Sequence, residues 1–462
     1  MIFKSRKVKK DMKKLIVCAL AISALSLYAD ATKAVVQPDS RPCPQWWKDA
    51  KFGIFIHWGV YSVPAFAPTS GEKMNSCYAE QYRGKIQNKV KSVVEHHEKR
   101  YPGLSYEDLA SRFTAENWNP DDWAKLFRRS GAKYVVLTSK HHDGFALWPS
   151  EQSPYWNSMV VGPKRDICGE LTKAVRDAGL KMGFYYSLFE YSVITSDMGK
   201  VTEHFVDEMN IPQLKDLVLR YKPDIVWGDG QWRVLEEISR GKEFLTWLYN
   251  ESSVRDTVVA NDRWWHRSRG QCGDFYTTEY DHTGAKPNKK KDHPWEECRG
   301  IGRSFGYNRF ERAENYLTDA QCIETLCDKV SRGGSLLLNV GPDSTGFIPP
   351  IMEERLLAMG KWLEVNGEAI YGTTAWSKRP KNMKKDRIYY TEKADALYAI
   401  CAVWPQAKFR VSGCGKVSGV KLLGSDLKVE FTMDGEDAII TPPAVNPGNM
   451  PCNHAWTLKI SR

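Results

Sequence analysis

Hydrophobic and polar positions follow two regimes along this chain, and the change between them falls near Gly372–Lys378. Upstream, a capped amphipathic stretch leads through a glycine into a short, nearly continuous apolar run, and the unit recurs. NPDDWAKLFRRSGAKYVVLTSKHHDG (residues 119–144) predicts a helix capped by Asn119-Pro120-Asp121, then Gly131, then a strand. DICGELTKAVRDAGLKMGFYYS (166–187) and IPQLKDLVLRYKPDIVWGDG (211–230) repeat the plan. Further strands are predicted in FGIFIHWG, TVVANDR, DFYTTEY and SLLLNVGP. Strands that are apolar on both faces and alternate with helices predict a parallel sheet covered on each side. Downstream the period becomes two, in RIYYTE, ALYAICAVW, KFRVSG, GVKLLG, LKVEFTM, DAIITPP and HAWTLKIS. Short alternating strands between Gly, Pro and Asp predict a small antiparallel sandwich. The fold expected is α/β, a (β/α)8-like TIM barrel over 32–374 followed by a C-terminal antiparallel β-sandwich over 375–462.

The first 31 residues belong to neither regime. Lys4, Arg6, Lys7, Lys9, Lys10, Lys13 and Lys14 precede the apolar run LIVCALAISALSL and then Ala29-Asp30-Ala31. A basic head, a short apolar segment and a small-residue site predict a secretory signal peptide, with Met12 as a second possible start. The run is too short to span a bilayer. Export to a periplasmic or extracellular space is expected, or to a lysosome in a eukaryote. This segment carries half of the formal net charge of +10, so the basic excess stops pointing to nucleic acid. The 11 cysteines show no C-x-x-C spacing, and ten remain after cleavage. Some pairing is possible in an oxidising compartment, with no connectivity derivable.

Polar residues able to do chemistry gather at the ends of the predicted strands. His57 closes the first, His141 and His142 the second, Tyr185 and Tyr186 the third, then Asp229, Arg263 and Glu279. A (β/α)8 barrel builds its active site at those C-terminal ends, from several strands together. Asp229, in IVWGDGQW, has glycine on either side and Trp227 close by. Glu279 sits among aromatics in DFYTTEYD, where desolvation would raise a carboxyl toward a neutral-pH acid. Two carboxylates in an aromatic site suit glycosidic cleavage, one attacking or activating water and the other protonating the leaving oxygen.

FGIFIHWGVYSVPA, FTAENWNPDDWAKLFRRSGAKYVVLTSKHHDGFALWPS, GLKMGFYYS, YKPDIVWGDG, ANDRW and SLLLNVGP together resemble the family-29 glycoside hydrolases, the α-L-fucosidases. The resemblance covers roughly Trp46 to Trp376, and the β-rich tail fits the family's C-terminal domain. It implies a retaining enzyme acting on terminal α-L-fucosyl residues of glycans, with Asp229 as nucleophile. It gives Glu279 the acid/base role, with Glu296 and Glu297 in PWEECRGIGRSFGYNR as alternatives. His57, Trp58, Glu80, His141, His142, Tyr186, Trp227 and Arg263 would hold the sugar or flank the nucleophile. No cofactor and no metal is implied. Gln81 stands where many relatives carry Trp, and the Pro68–Tyr78 loop is longer than usual; both lie beside the expected fucose pocket.

Two other readings compete. His57, His141, His142 and Asp229 could bind zinc, although neighbouring strand side chains face opposite ways and would separate the adjacent histidines. A barrel that keeps its pocket but has lost catalysis would bind glycans without turning them over. His96-His97 is expected on a solvated helix face, and Lys289-Lys290-Lys291 in a solvated loop where acidic glycans could bind. Asn250-Glu251-Ser252 is an N-x-S sequon.

Overall fold

The structure, a computed structural model, describes residues 37, 40–70, 74–192, 201–280, 283–284 and 293–462. The expected leader and Lys289–Lys291 therefore lie outside the described residues.

The first regime forms one nine-stranded curled sheet. Its strands are β1 (Phe52–Ile56), β2 (Tyr134–Lys140), β3 (Lys181–Ser187), β4 (Ile225–Asp229), β5 (Val259–Ala260), β6 (Tyr276–Glu279), β7 (Thr283–Gly284), β8 (Trp295–Gly300) and β9 (Gly334–Val340). Their order is β5-β4-β3-β2-β1-β9-β8-β6-β7, with every pairing parallel except the β6–β7 hairpin. Two of the helices between them start where the sequence places caps, whereas Ile211–Tyr221 runs on from the helical turn Val206–Asn210 without a side-chain cap. Asn119 Oδ1 accepts from the Asp121 amide at 3.0 Å ahead of Pro120–Arg129, and Asp166 Oδ1 accepts from Gly169 at 2.9 Å ahead of Ile167–Asp177. Gly131 and Gly179 end these helices at φ 86° and 78°, where a Cβ would be strained.

No backbone ladder joins β5 to β6, and one backbone bond with two aspartate side chains closes the gap. The Asp274 amide donates to the Ala260 carbonyl at 2.8 Å and Asp274 Oδ2 accepts from the Ala260 amide at 2.8 Å. Asp262 Oδ1 accepts from the Thr277 amide at 3.1 Å. These two buried aspartates do the work of a ladder over the strand that is too short to provide one.

Two differences from the sequence expectation stand out. TVVANDR yields a strand of two residues, because Asn261 turns out of it and bonds the Gly228 backbone through both side-chain atoms, at 2.8 and 2.9 Å. The eighth parallel strand is β8, in WEECRG, which the pattern of apolar positions does not mark.

Alternation along each strand sorts side chains between two cores. Phe55, Tyr134, Val136, Tyr185, Ile225, Trp227, Val259, Cys298 and Leu337 fill the barrel interior. Ile54, Ile56, Trp58, Val135, Leu137, Phe184, Tyr186, Val226, Leu336 and Leu338 face the helices. The tail follows as two antiparallel sheets. One has β10 (Thr374–Ala375), β11 (Ile388–Lys393), β12 (Ala396–Cys401), β17 (Trp456–Ser461) and β14 (Gly419–Leu422); the other has β13 (Phe409–Val411), β16 (Asp437–Thr441) and β15 (Glu430–Asp434). All seven segments read as strands in the tail form them. The ten described cysteines are free thiols, nine of them buried.

Candidate active site

The inward parity of the strands carries polar groups to the top of the interior core. Asp229 is the last residue of β4, two positions above Trp227 and on the same face. Arg263 Nη1 donates to Asp229 Oδ1 at 2.8 Å, and Tyr185 Oη donates to Oδ2 at 2.9 Å. Burial would raise the Asp229 carboxyl, but the Arg263 guanidinium, His142 and the two hydrogen bonds together hold it below the usual carboxylate range. Arg263 is itself buried, which opposes its charge; Asp229 and Glu279 more than offset this and keep it protonated. Its Nε donates to Thr277 Oγ1 at 2.9 Å, fixing the plane of the fork.

Glu279 ends β6 on the same side. Tyr78 Oη donates to its Oε1 at 2.8 Å, and Arg263 Nη2 lies 3.5 Å from its Oε2. A single guanidinium thus spans both carboxylates. The surroundings of Glu279 are less enclosed than its aromatic neighbours in sequence imply: Tyr276 faces the outer side against His293, and 20% of the Glu279 side chain stays exposed.

Burial keeps all three histidines neutral, and hydrogen bonds fix the tautomer of two of them. His57 Nδ1 donates to Asn339 Oδ1 at 2.6 Å, which leaves Nε2 as the acceptor, and burial pushes the ring down to about 3. Ser187 Oγ gives its proton to the Phe189 carbonyl, so His142 Nδ1 donates to Ser187 Oγ at 2.6 Å. Burial takes His142 down to about 4 despite Asp229, whose Oδ2 stands 3.7 Å from Nε2. Two acceptors face each other there without a bond. Burial lowers His141 as well; its ring stacks on Tyr185 at 5.5 Å and 12°. The adjacent histidines do not face opposite ways as expected, since β2 ends at Lys140 and strand alternation no longer applies; their ring centroids are 4.2 Å apart. Glu80, in a short 3-10 turn after β1, accepts from the Gly306 amide at 2.8 Å and is raised to about 7 by burial.

Other expected site residues sit elsewhere. Tyr186 faces the outer core, where its hydroxyl donates to Gln213 Oε1 at 2.8 Å and accepts from Lys140 at 2.9 Å. Tyr185, one residue earlier, takes the place beside Asp229. Trp58 also points outward, against Phe113 and Trp123 at 4.9 and 5.0 Å, with its indole N–H on the Asp343 carbonyl. Trp227 lies directly under the pocket, stacked on Tyr185 at 5.7 Å and donating to Glu296 Oε1 at 3.0 Å. Glu296 is thereby spent as a support below Trp227, and Glu297 faces outward to Thr278 and Lys329. Tyr78, Ser187, Phe305 and Asn339 complete the pocket wall; strand parity marks Ser187 and Asn339, and nothing local marks the other two. Part of the Pro68–Tyr78 loop, 71–73, lies outside the described residues; Gln81 is half-buried beside Glu80. His96 and His97 are not on a solvated face: His96 stacks on Phe66 at 4.0 Å with Nδ1 2.9 Å from Tyr82 Oη, and His97 Nε2 donates to the Leu104 carbonyl.

Carboxylates sharing one arginine, under neutral imidazoles and over an aromatic floor, are equipped to break a glycosidic bond, and this sets the protein among the barrel glycoside hydrolases. The comparisons narrow the class. The model described as "Alpha-L-fucosidase" matches residues 20–368, and that described as "Alpha-L-fucosidase C-terminal domain" matches 381–461. The chain belongs to the α-L-fucosidase family. It is 41% identical to the tissue alpha-L-fucosidase of Rattus norvegicus over 434 residues, covering 92% of this chain and 91% of that one. It is 46% identical to the alpha-L-fucosidase of Dictyostelium discoideum over 365 residues, covering 77% and 76%. Among solved structures, a Thermotoga maritima alpha-fucosidase in complex with fucose superposes with a TM-score of 0.77 at 36% identity, covering 91% of this chain and 97% of that one. The alpha-L-fucosynthase of that organism superposes with a TM-score of 0.79 at 35% identity, covering 93% and 100%.

Proposed function

We propose that this protein removes terminal α-L-fucosyl residues from glycans by a retaining double displacement, with Asp229 as nucleophile and Glu279 as acid/base. The observation that carries the assignment is the Arg263 fork, which reaches Asp229 at 2.8 Å and Glu279 at 3.5 Å. It keeps Asp229 ionised and draws the carboxyls together, which favours the close pair of a retaining enzyme over the wider pair of an inverting one. Asp229 Oδ attacks the anomeric carbon while Glu279 gives its proton to the departing glycosidic oxygen. A water then loses a proton to Glu279 and displaces the carboxylate from the sugar.

His57 Nε2 and the facing acceptors His142 Nε2 and Asp229 Oδ2 accept from ring hydroxyls, with His141 and Glu80 on the same wall. The floor is the Trp227 ring. The Thermotoga maritima structures that hold fucose and a mechanism-based inhibitor support this reading. We extend the proposal to export through a leader at 1–31, a catalytic unit at 32–374 and a C-terminal unit at 375–462. No described helix is long and apolar enough to cross a membrane.

The deciding experiment is Asp229→Gly assayed on an aryl α-L-fucoside. Turnover is expected to fall by about 10⁴ or more, and azide should restore part of it by attacking from the freed face to give the β-fucosyl azide. Wild-type turnover in Asp229→Gly would overturn the assignment.

A further inference from the structure

The feet of β1, β8 and β9 and the segment leading into β11 enclose a cleft of about 1110 Å³ at the end of the barrel opposite Asp229. Its described walls carry Lys48, Lys51, Arg332, Arg379 and Lys381 against one carboxylate, Asp49. A basic surface alone is usually just solvated. Lys51 is what sets this one apart.

Lys51 closes the helix Gln45–Ala50 at φ 59°, and its carbonyl accepts from the Leu336 amide at 2.9 Å, so its backbone is pinned at the foot of β1 and β9. The residue is only 6% exposed, yet its ammonium makes no hydrogen bond and no ion pair among the described residues. Lysine is almost never buried so far unless paired, and here the charge of Asp49 offsets part of the cost of burial without forming an ion pair. Asp49, the neighbouring carboxylate, is engaged by Gln45 Nε2 at 2.8 Å. Burial has lowered the Lys51 ammonium to about 8.

The other cations are held ready around it. Arg332 pairs with Asp328 at 2.6 Å and stacks over Trp295 at 5.4 Å, while Arg379 is tied to the Trp376 carbonyl at 2.8 Å. Trp47 and Trp295, both buried, back the same cleft. A barrel's catalytic groups stand at the other end, so nothing in glycosidic cleavage uses this cluster. We infer that the cleft is a second binding site, for an oxyanion (a sulfate or phosphate group, free or esterified on a saccharide) held by Lys51 at its centre.

Calorimetric titration of the full chain with inorganic sulfate and with glucose 6-sulfate tests this. Saturable one-to-one binding is expected, weakened tenfold or more in Lys51→Met, kept in Lys51→Arg, and weakened several-fold in Lys381→Ser. Aryl fucoside kcat/KM should be unchanged in all three. Equal affinity for both probes identifies the free ion as the ligand; tighter binding of the sugar sulfate identifies the ester. Either supports the site. Absence of saturable binding by wild type, or wild-type affinity in Lys51→Met, overturns it. Lys381 is exposed and its substitution spares the fold, so wild-type affinity in Lys381→Ser overturns it equally should Lys51→Met fail to fold.

Discussion

Arg263 and Asp229 form a buried ion pair at 2.8 Å that sets the charge state of the whole pocket. With the arginine present, Asp229 lies below the usual carboxylate range although burial alone would raise it. Replacing Arg263 by Met removes the opposing charge and leaves desolvation unbalanced. The acid limb of the kcat/KM profile should move up by about 1 unit or more, since an opposite charge at this distance is worth 1–3 units to a carboxylate. The folded protein should lose about 3–5 kcal/mol, the usual cost of breaking a buried pair. For wild type the sign follows from the lowered carboxyl: this contribution is present above the unfolded value of about 3.9 and is lost as pH falls through the folded one. An acid limb that stays in place in Arg263→Met would refute the electrostatic role.

Tyr185 and Tyr186 give a paired control within one strand. Tyr185→Phe deletes a hydrogen bond to Asp229 Oδ2 without removing the ring that stacks on His141 and Trp227. It should lower kcat by about ten- to a hundredfold, as one charge-assisted hydrogen bond is worth about 1.5–3 kcal/mol. Tyr186→Phe deletes a bond in the outer Lys140–Gln213 network. It should lower the melting temperature and leave kcat near wild type. Equal losses of kcat in the two variants would contradict the division of faces.

That division also shows how far the sequence could be read. Period-two alternation from Asp229 through Trp227 to Ile225 assigns the inner face of β4 correctly. The same count on β3 groups Tyr185 with Ser187 and sends Tyr186 outward. On β2 counting fails, because the register shifts between Thr138 and Lys140 and turns Lys140 to the outer face. β8 is hidden for a different reason: Glu296 is tolerated inside the barrel only because Tyr134 and Trp227 donate to it from 162 and 69 residues away. No local pattern carries that information. Capped helices, by contrast, are settled by neighbours within one turn, and Asn119 and Asp166 are legible for that reason.

Glu279 holds the acid/base role if its loss depends on the leaving group. Glu279→Ala should cut kcat/KM on a natural fucosyl disaccharide by about 10²–10⁴, the usual contribution of a general acid. On a dinitrophenyl fucoside the first step needs no proton, and only a small loss is expected there. Azide should accelerate the second step of this variant and give the α-fucosyl azide, the opposite anomer to that from Asp229→Gly. Equal losses on both substrates would remove Glu279 from the role.

Glu296 predicts the direction in which stability changes with pH. It is buried below Trp227, and burial raises it to about 7 against hydrogen bonds from Tyr134 and Trp227 that favour ionisation. An unfolded glutamate titrates near about 4.3. Between those values the folded state binds more protons than the unfolded one, so unfolding free energy falls as pH rises and levels off above about 7. Glu80, raised to about 7 by burial, acts in the same direction. Their part of the stability is therefore larger at pH 5 than at pH 7.5, while His57 and His142, lowered by burial to about 3 and about 4 from an unfolded value of about 6.5, act in the opposite direction below about 6.5. Glu296→Gln keeps an acceptor for the Trp227 N–H, whose loss would cost about 1–3 kcal/mol, and removes the titration. It should remove the falling contribution of Glu296 between pH 5 and 7 and raise the melting temperature at pH 7.5 by about 1–3 °C. A variant whose melting-temperature difference between pH 5 and pH 7.5 matches that of wild type would show that the proton is bound elsewhere.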